Sequence, residues 1–92
     1  MARSNSYLNI DMLVLCILRR NDCYGYEIVK KLNDISQGML TIREGTLYPI
    51  LYALQKKNYI SSKDVIVNEK IRVYYHLEGV GKAYLDEGNR TI

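Results

Sequence analysis

The sequence predicts a mostly helical α+β fold, in which three helices precede a two-stranded hairpin and a short fourth helix follows it. Two patterns carry this prediction. Apolar residues recur at i, i+3, i+4, i+7 in three successive segments, which is typical of amphipathic helices. Two later runs of β-branched and aromatic residues flank a short polar pair, which is typical of a hairpin. At 92 residues, we expect one domain, 1–92, whose last helix starts at about residue 79.

The first two helices are predicted from their apolar faces and their expected ends. The apolar face of the first consists of Ile10, Leu13, Val14, Ile17 and Leu18. Asp11 falls in its first turn, where a carboxylate interacts favourably with the positive end of the helix dipole. We expect Cys16 to be a small buried side chain and Cys23 to lie in the following loop. The second helix is predicted over 24–35, with Asp22 as N-cap and Gly38 at or after its end.

The third helix is predicted over 44–57, from apolar residues at positions 47, 50, 51 and 54. Thr41 and Glu44 have the spacing of a capping box, so we expect the helix to begin near them. Pro49 complicates this start, because a proline inside a helix removes a hydrogen bond and destabilises it by about 3 kcal/mol. Either the helix begins near Thr46, which makes Pro49 a first-turn residue, or the strain is tolerated for function.

The remaining chain predicts strands over 59–67 and 71–77 with Asn68-Glu69 at the turn. A short helix follows, with Val80 and Tyr84 at helical spacing and Gly88 at its end. Three helices followed by a hairpin is the plan of a winged helix-turn-helix. In that plan one helix enters the major groove of DNA, and the hairpin, the wing, lies along the backbone or minor groove.

The outward face of the third helix supports binding to double-stranded DNA. A helical wheel places outward Gly45, Pro49, Tyr52 and Lys56, flanked by Thr46, Tyr48 and Ala53. Small residues allow close approach to base edges, and tyrosines can contact phosphates and thymine methyl groups. Lys56 and Lys57 can pair with phosphates. Taken as a pair alone, Tyr48 and Tyr52 are better explained by packing against a neighbouring helix. The residues around them, however, favour contact with DNA.

The chain resembles the PadR family of transcriptional regulators. The resemblance rests on Tyr24-Gly25-Tyr26-Glu27-Ile28, Glu44-Gly45-Thr46-Leu47-Tyr48-Pro49-Ile50-Leu51, Leu54, Tyr59-Ile60, Tyr74-Tyr75-His76-Leu77 and Gly81, in order along nearly the whole chain. It implies a dimeric DNA-binding repressor, released in many members by a small molecule. It also implies that Thr46, Tyr48 and Pro49 lie on the DNA and that Tyr24 lies near a phosphate. The wing candidates for DNA contact are Lys63, Lys70 and Arg72.

Three features depart from the family pattern. Glu78 stands where a Thr or Ser that caps the last helix is usual. Tyr52-Ala53 replaces a basic residue of the third helix, the reading helix that is expected to contact the bases. The C-terminal helix is short, with room for roughly two to three turns before Gly88. We therefore expect a short form of the family, whose dimer either rests on the first helix and this short helix or is weaker than in its relatives. The expected interface residues are Tyr7, Leu8, Ile10, Met12, Tyr84 and Leu85. No effector is assigned, since the chain has no Trp.

Other functions have weaker support. His76 is the only histidine and no nucleophile or carboxylate accompanies it in a motif, so we expect no enzyme, no cofactor and no metal. A winged-helix module that binds protein rather than DNA is the alternative, because fold does not fix function and Tyr48 and Tyr52 could form an apolar patch. The net charge of +3 is compatible with either. With no signal segment at the start and no long apolar run, we expect a cytoplasmic protein.

Overall fold

The computed structural model describes residues 9–39 and 41–90, and within them it confirms the predicted α+β winged-helix architecture. The elements are α1 (Ile10–Arg20), β1 (Cys23–Tyr24), α2 (Gly25–Ile35), α3 (Glu44–Lys56), β2 (Ile60–Val67), β3 (Lys70–Leu77) and α4 (Gly79–Arg90). The predicted interface residues Tyr7 and Leu8 lie outside the described residues.

The sheet has the order β1-β3-β2, with both pairs antiparallel. The wing is the β2–β3 hairpin, and its register runs from Ile60 opposite Leu77 to Val67 opposite Lys70. Its turn is at Asn68-Glu69, as predicted, and both residues have positive φ, 52° and 65°. Such angles are typical of the tight turns that match the twist of a hairpin. β1 was not predicted, because two residues are too few to show an alternating pattern.

The core forms where the apolar stripes of the helices meet the base of the sheet. Its fully or almost fully buried side chains are Val14, Leu15, Ile17, Leu18, Cys23, Ile28, Leu32, Ile42, Leu47, Leu51, Leu54, Ile60, Tyr75 and Leu85. Two predictions need correction here. Cys16 is exposed, because the buried stripe of α1 turns away from it. Leu85 is fully buried within this one chain, so it is unavailable to a partner and does not belong to a dimer interface.

The helix starts differ from those expected. The N-cap of α2 is Tyr24 rather than Asp22, because Cys23 and Tyr24 form β1 before the helix begins. The backbone N–H of Tyr24 donates to Glu27 Oε1 at 3.2 Å. The N-cap of α3 is Arg43 rather than Thr41, and its side chain makes no cap hydrogen bond.

The helix ends also correct one prediction. In α3 the N–H of Asn58 donates to Gln55 O and that of Tyr59 to Leu54 O, with Asn58 at a φ of 64°. This pairing satisfies the last carbonyl groups of the helix. Helix α4 continues to Arg90, so Gly88 does not end it as predicted.

Pro49 lies in the interior of α3, because the helix begins at Glu44. The first-turn alternative is therefore wrong. Proline has no N–H, so the carbonyl of Gly45 has no donor four residues later. Gly45 is exposed, and its carbonyl can accept from water instead.

Candidate nucleic-acid interface

The start of α3 is held against α2 by one side chain. Asn33 of α2 accepts from the backbone N–H of Ile42 at 3.0 Å and donates to the carbonyl oxygen of Ile42 at 3.3 Å. Ile42 is itself buried in the core. This paired contact fixes the loop that enters α3 against the last turn of α2.

An open groove of about 610 Å³ lies between the first turns of α2 and α3 and strand β3. Its lining residues are Tyr24, Gly25, Tyr26, Glu44, Tyr48, Ile71, Arg72, Val73 and Tyr75. Tyr24, Tyr48 and Arg72 were predicted to bind DNA from widely separated parts of the sequence, and the groove brings them together. The other lining residues were not predicted as site residues.

Tyr48 crosses from α3 to the first turn of α2. A Cβ atom at Gly25 would lie 2.6 Å from the Tyr48 hydroxyl oxygen and 3.1 Å from Cζ. The tyrosine end therefore occupies the space that a side chain at position 25 would need. The ring is 45% exposed, so one edge still faces solvent in the groove. Gly25 thus sets the position of an exposed aromatic side chain, which explains the glycine between Tyr24 and Tyr26.

Arg72 stacks on Tyr24, whose ring is in turn held by Tyr74. The guanidinium carbon of Arg72 lies 4.4 Å from the ring centroid of Tyr24, and Tyr24 meets Tyr74 edge-on with centroids 5.4 Å apart. Tyr24 and Tyr74 are directly opposite each other in the β1–β3 pair. A guanidinium stacked on a ring loses less freedom when it binds a phosphate. The stack therefore presents a positioned cation at the rim of the groove.

The outward face of α3 has the character predicted for it. Gly45, Thr46, Pro49 and Tyr52 are all exposed, and nothing lies within 4 Å of a Cβ built at Gly45. Tyr52 is 63% exposed and therefore does not pack against any of the helices in the described part of the chain. The face is uncharged until Lys56, whose ammonium lies 5.5 Å from the Tyr52 ring centroid.

The other predicted cations lie outside the groove. Lys57 is at the C-terminal end of α3, with its ammonium 5.9 Å from the ring centroid of Tyr59. Lys63 and Lys70 are exposed on the wing, on the face that also carries Arg72 and Tyr74. The opposite face of the wing carries Ile71 and Val73 into the groove.

The sequence of residues 14–87 matches the transcriptional regulator PadR-like family. The chain belongs to this family. The resemblance drawn from the sequence motifs is thereby confirmed, and the chain is a PadR family transcriptional regulator.

Solved structures and a curated relative agree with this membership. A PadR family transcription regulator from Clostridium difficile R20291 is similar, with a TM-score of 0.80 and 34% identity over 89% of this chain and 84% of that one. Transcriptional regulator YqjI of Escherichia coli K12 is 36% identical over 81 residues. The match covers 88% of this chain and 38% of that protein. Bacillus subtilis PadR in complex with operator DNA shares the fold, with a TM-score of 0.75 and 23% identity over 84% and 44% of the two chains.

Behind the groove of this PadR-like chain, Tyr75 forms a neutral buried floor. Burial raises the pKa of Tyr75 above 10.0, and the nearby Tyr48 raises the pKa further. Its hydroxyl therefore stays protonated at neutral pH.

His76 lies at the base of the wing, with Nδ1 2.8 Å from Asp22 Oδ1. The residue predicted as an N-cap thus joins the α1–β1 loop to β3. Within 9–39 and 41–90 no group of three or more His, Cys, Asp and Glu side chains could hold a metal ion. No helix in that part of the chain is long and apolar enough to cross a membrane.

Proposed function

We propose that this PadR-like regulator binds double-stranded DNA in a sequence-specific manner as a homodimer and represses transcription. The observation that carries the proposal is the exposed outward face of α3 from Gly45 to Tyr52, which has small or aromatic side chains and no charged residue. Gly45 is surrounded by open space, although glycine inside a helix is less favourable than alanine by about 1 kcal/mol. Nothing within the described chain requires that glycine, whereas close approach to base edges does.

The roles of the site residues follow from their positions on α3. Thr46, Pro49 and Tyr52 face outward and would contact base edges in the major groove. Lys56 and Lys57 come later on the helix and would pair with phosphates.

The groove and the wing would hold the backbone on either side of α3. Tyr24 is at the N-cap of α2, and the N-terminus of a helix favours a phosphate. Arg72, Lys63 and Lys70 share one face of the wing and can neutralise further phosphates. Operator DNA is bound by the Bacillus subtilis PadR that shares this fold, which supports DNA as the partner of this chain.

Dimerisation would use the surface formed by α1 and α4. These helices pack together, and Arg19 of α1 pairs with Asp86 of α4 at 3.0 Å. Ile10 and Met12 are only partly buried, and Tyr84 is stacked on Tyr59 with one side exposed. Two copies joined here would present two reading helices to half-sites about 34 Å apart. Sedimentation at micromolar concentration should show a dimer, and a monomer alone would remove this part of the proposal.

Selection of bound duplexes from random-sequence DNA tests the function as a whole. We expect an enriched inverted repeat whose half-site centres are about 10 base pairs apart. Placing that repeat over a promoter tests repression. Reporter output should fall when the chain is expressed, and a rise would show that the chain activates transcription instead. Failure to enrich any duplex would contradict DNA binding.

The alternative is a winged-helix module that binds protein, and the exposed Tyr26, Tyr48 and Tyr52 favour it. Salt dependence separates the two. DNA binding should weaken steeply with salt, because each neutralised phosphate contributes a slope of about −0.9 in log K against log salt. Tyr48→Ala should lose sequence preference, whereas Lys70→Ala should weaken all duplexes alike and reduce the slope by about 1. Normal binding by Tyr48→Ala would contradict the assignment of α3.

A further inference from the structure

One carboxylate lies among the groups that are proposed to contact DNA. Glu44 is the first residue of α3, it is exposed, and it lines the groove together with Tyr48 and Arg72. Among the described residues that line this groove, no other side chain is acidic. The contacts proposed above use only uncharged and basic side chains, so this negative charge serves none of them.

Glu44 has no partner within the described part of the chain. Its carboxylate makes neither an ion pair nor a hydrogen bond there, although Arg72 lines the same groove. Arg72 is instead stacked on Tyr24, with its guanidinium carbon 4.4 Å from the ring centroid. Both carboxylate oxygens of Glu44 are therefore available as acceptors in an open groove.

The position of Glu44 on α3 favours contact with a base rather than with the DNA backbone. In the winged-helix plan the N-terminal residues of the reading helix contact base edges in the major groove. Glu44 and Tyr48 are four residues apart, so they lie on the same flank of the helix, one turn from each other. The neighbouring Gly45 has open space around it, which leaves room for a base edge beside the carboxylate. A phosphate at the same place would repel the carboxylate.

We propose that Glu44 is a specificity-determining residue, whose carboxylate accepts a hydrogen bond from the exocyclic amino group of a cytosine in each half-site. The proposal rests on the proposed DNA-binding function and names the base that the start of α3 reads. An ionised carboxylate only accepts hydrogen bonds. In the major groove cytosine presents one donor, its amino group, whereas guanine presents two acceptors and thymine an acceptor and a methyl group. Adenine presents a donor beside an acceptor, so cytosine is the best match.

A simpler role for Glu44 is stabilisation of α3, because a carboxylate in the first turn interacts favourably with the helix dipole. The two roles predict different measurements. A dipole contribution changes the free energy of unfolding and leaves the base preference unchanged. A contact with cytosine changes the preference at one base pair of each half-site, and only there.

Selection from random-sequence DNA with the wild type, Glu44→Gln and Glu44→Ala tests the base preference. We expect the wild type to select C·G at one position of each half-site. Glu44→Gln should select A·T at that position instead, because a glutamine amide both donates and accepts and so matches adenine. Glu44→Ala should show no preference there. Urea unfolding of the three proteins measures any change in helix stability separately.

Anisotropy titrations then measure the contact itself. The selected cytosine is replaced by a pyrimidinone base, which lacks the amino group and still pairs with guanine. The wild type should bind this duplex about tenfold more weakly than the selected one, whereas Glu44→Ala should bind both duplexes alike. With guanine in place of the cytosine, Glu44→Ala should bind more tightly than the wild type, because no carboxylate then faces the two acceptors of guanine.

Glu69→Gln is the matched control, since it makes the same chemical change at an exposed carboxylate of the wing turn. Its effect on net charge equals that of Glu44→Gln. Glu69→Gln should change the affinity for all duplexes by one common factor and leave every base preference as in the wild type. The control therefore separates the general electrostatic effect of a lost negative charge from a contact with one base.

The outcomes separate this inference from the function on which it rests. If the wild type selects no duplex, the proposed function fails, and the role of Glu44 fails with it. If the wild type selects a duplex and both Glu44 variants keep the same base preference, DNA binding stands and the role of Glu44 is wrong. Tighter binding of every duplex by Glu44→Ala, by one common factor, would also overturn the proposal, because the carboxylate would then face phosphates.

Discussion

Gly25→Ala changes the groove at one defined point. The new methyl carbon would lie 2.6 Å from the hydroxyl oxygen of Tyr48, 3.1 Å from its Cζ and 3.3 Å from its Cε1. Carbon contacts normally begin at about 3.5 Å, so the end of the ring must move by roughly 1 Å. The atom that obstructs the methyl group is the end of a half-exposed side chain, which can turn outward. The main chain of α2 need not move.

The expected loss is therefore in binding rather than in stability. A displaced tyrosine rotamer adds about 1 kcal/mol of strain. Alanine in place of glycine in a helix returns up to about 1 kcal/mol, so the free energy of unfolding should change little. If Tyr48 contacts DNA, its displacement should weaken binding by about tenfold.

A double-mutant cycle with Tyr48→Ala decides whether the effect runs through that ring. Fluorescence anisotropy with the selected duplex gives the four affinities, and urea unfolding gives the four stabilities. Gly25→Ala should have almost no effect on binding when position 48 is already alanine, because no ring remains to be displaced. Additive losses in affinity would refute this reasoning and assign Gly25 a direct role.

Three further predictions concern the scaffold. Gly81→Ala would drive its methyl group into the backbone carbonyl of Tyr59, which cannot turn aside. Urea unfolding should show that the free energy of unfolding falls by about 3 kcal/mol, and a fall of less than about 1 kcal/mol would contradict the packing. Asn33→Ala removes both hydrogen bonds to Ile42, and the same assay should show a loss of about 2 kcal/mol, with unchanged stability contradicting the clamp. Burial raises the pKa of the Cys23 thiol above 9.0, so the folded state holds its proton longer than the unfolded state. Melting temperature should therefore fall above pH 9, and the fall should be shallower in Cys23→Ala; identical profiles would contradict the role of Cys23.

The sequence predicted the elements of this fold well because their apolar patterns are long. Three helical stripes and an alternating hairpin each repeat several times, so the order of elements and the Asn68-Glu69 turn could be read directly. Short features could not be predicted in this way. The two residues of β1 give no pattern, and the N-cap position moved from Asp22 to Tyr24 because of that strand.

The site was predicted where one element contains it and missed where several elements meet. The outward face of α3 could be derived from a helical wheel. The groove depends on how α2, α3 and β3 approach one another, so Tyr26 and Glu44 could not be placed in it. Ile66 and Ile71 fit a normal strand pattern, and only the folded structure shows that both side chains are exposed among the described residues. Leu85 was misplaced for the same reason, since a helical pattern does not tell which neighbour covers it.

The most direct test of the central claim compares two glycines that lie in equally open space, Gly45 in α3 and Gly79 in α4. Gly45→Ala and Gly79→Ala should both fold with unreduced stability, because each methyl group meets no atom of the described residues within 4 Å. In anisotropy titrations of the selected duplex, Gly45→Ala should weaken binding by at least about tenfold, because its methyl group separates α3 from the bases. Gly79→Ala should bind like the wild type. Equal affinity of the two variants would contradict the assignment of α3 as the helix that reads DNA.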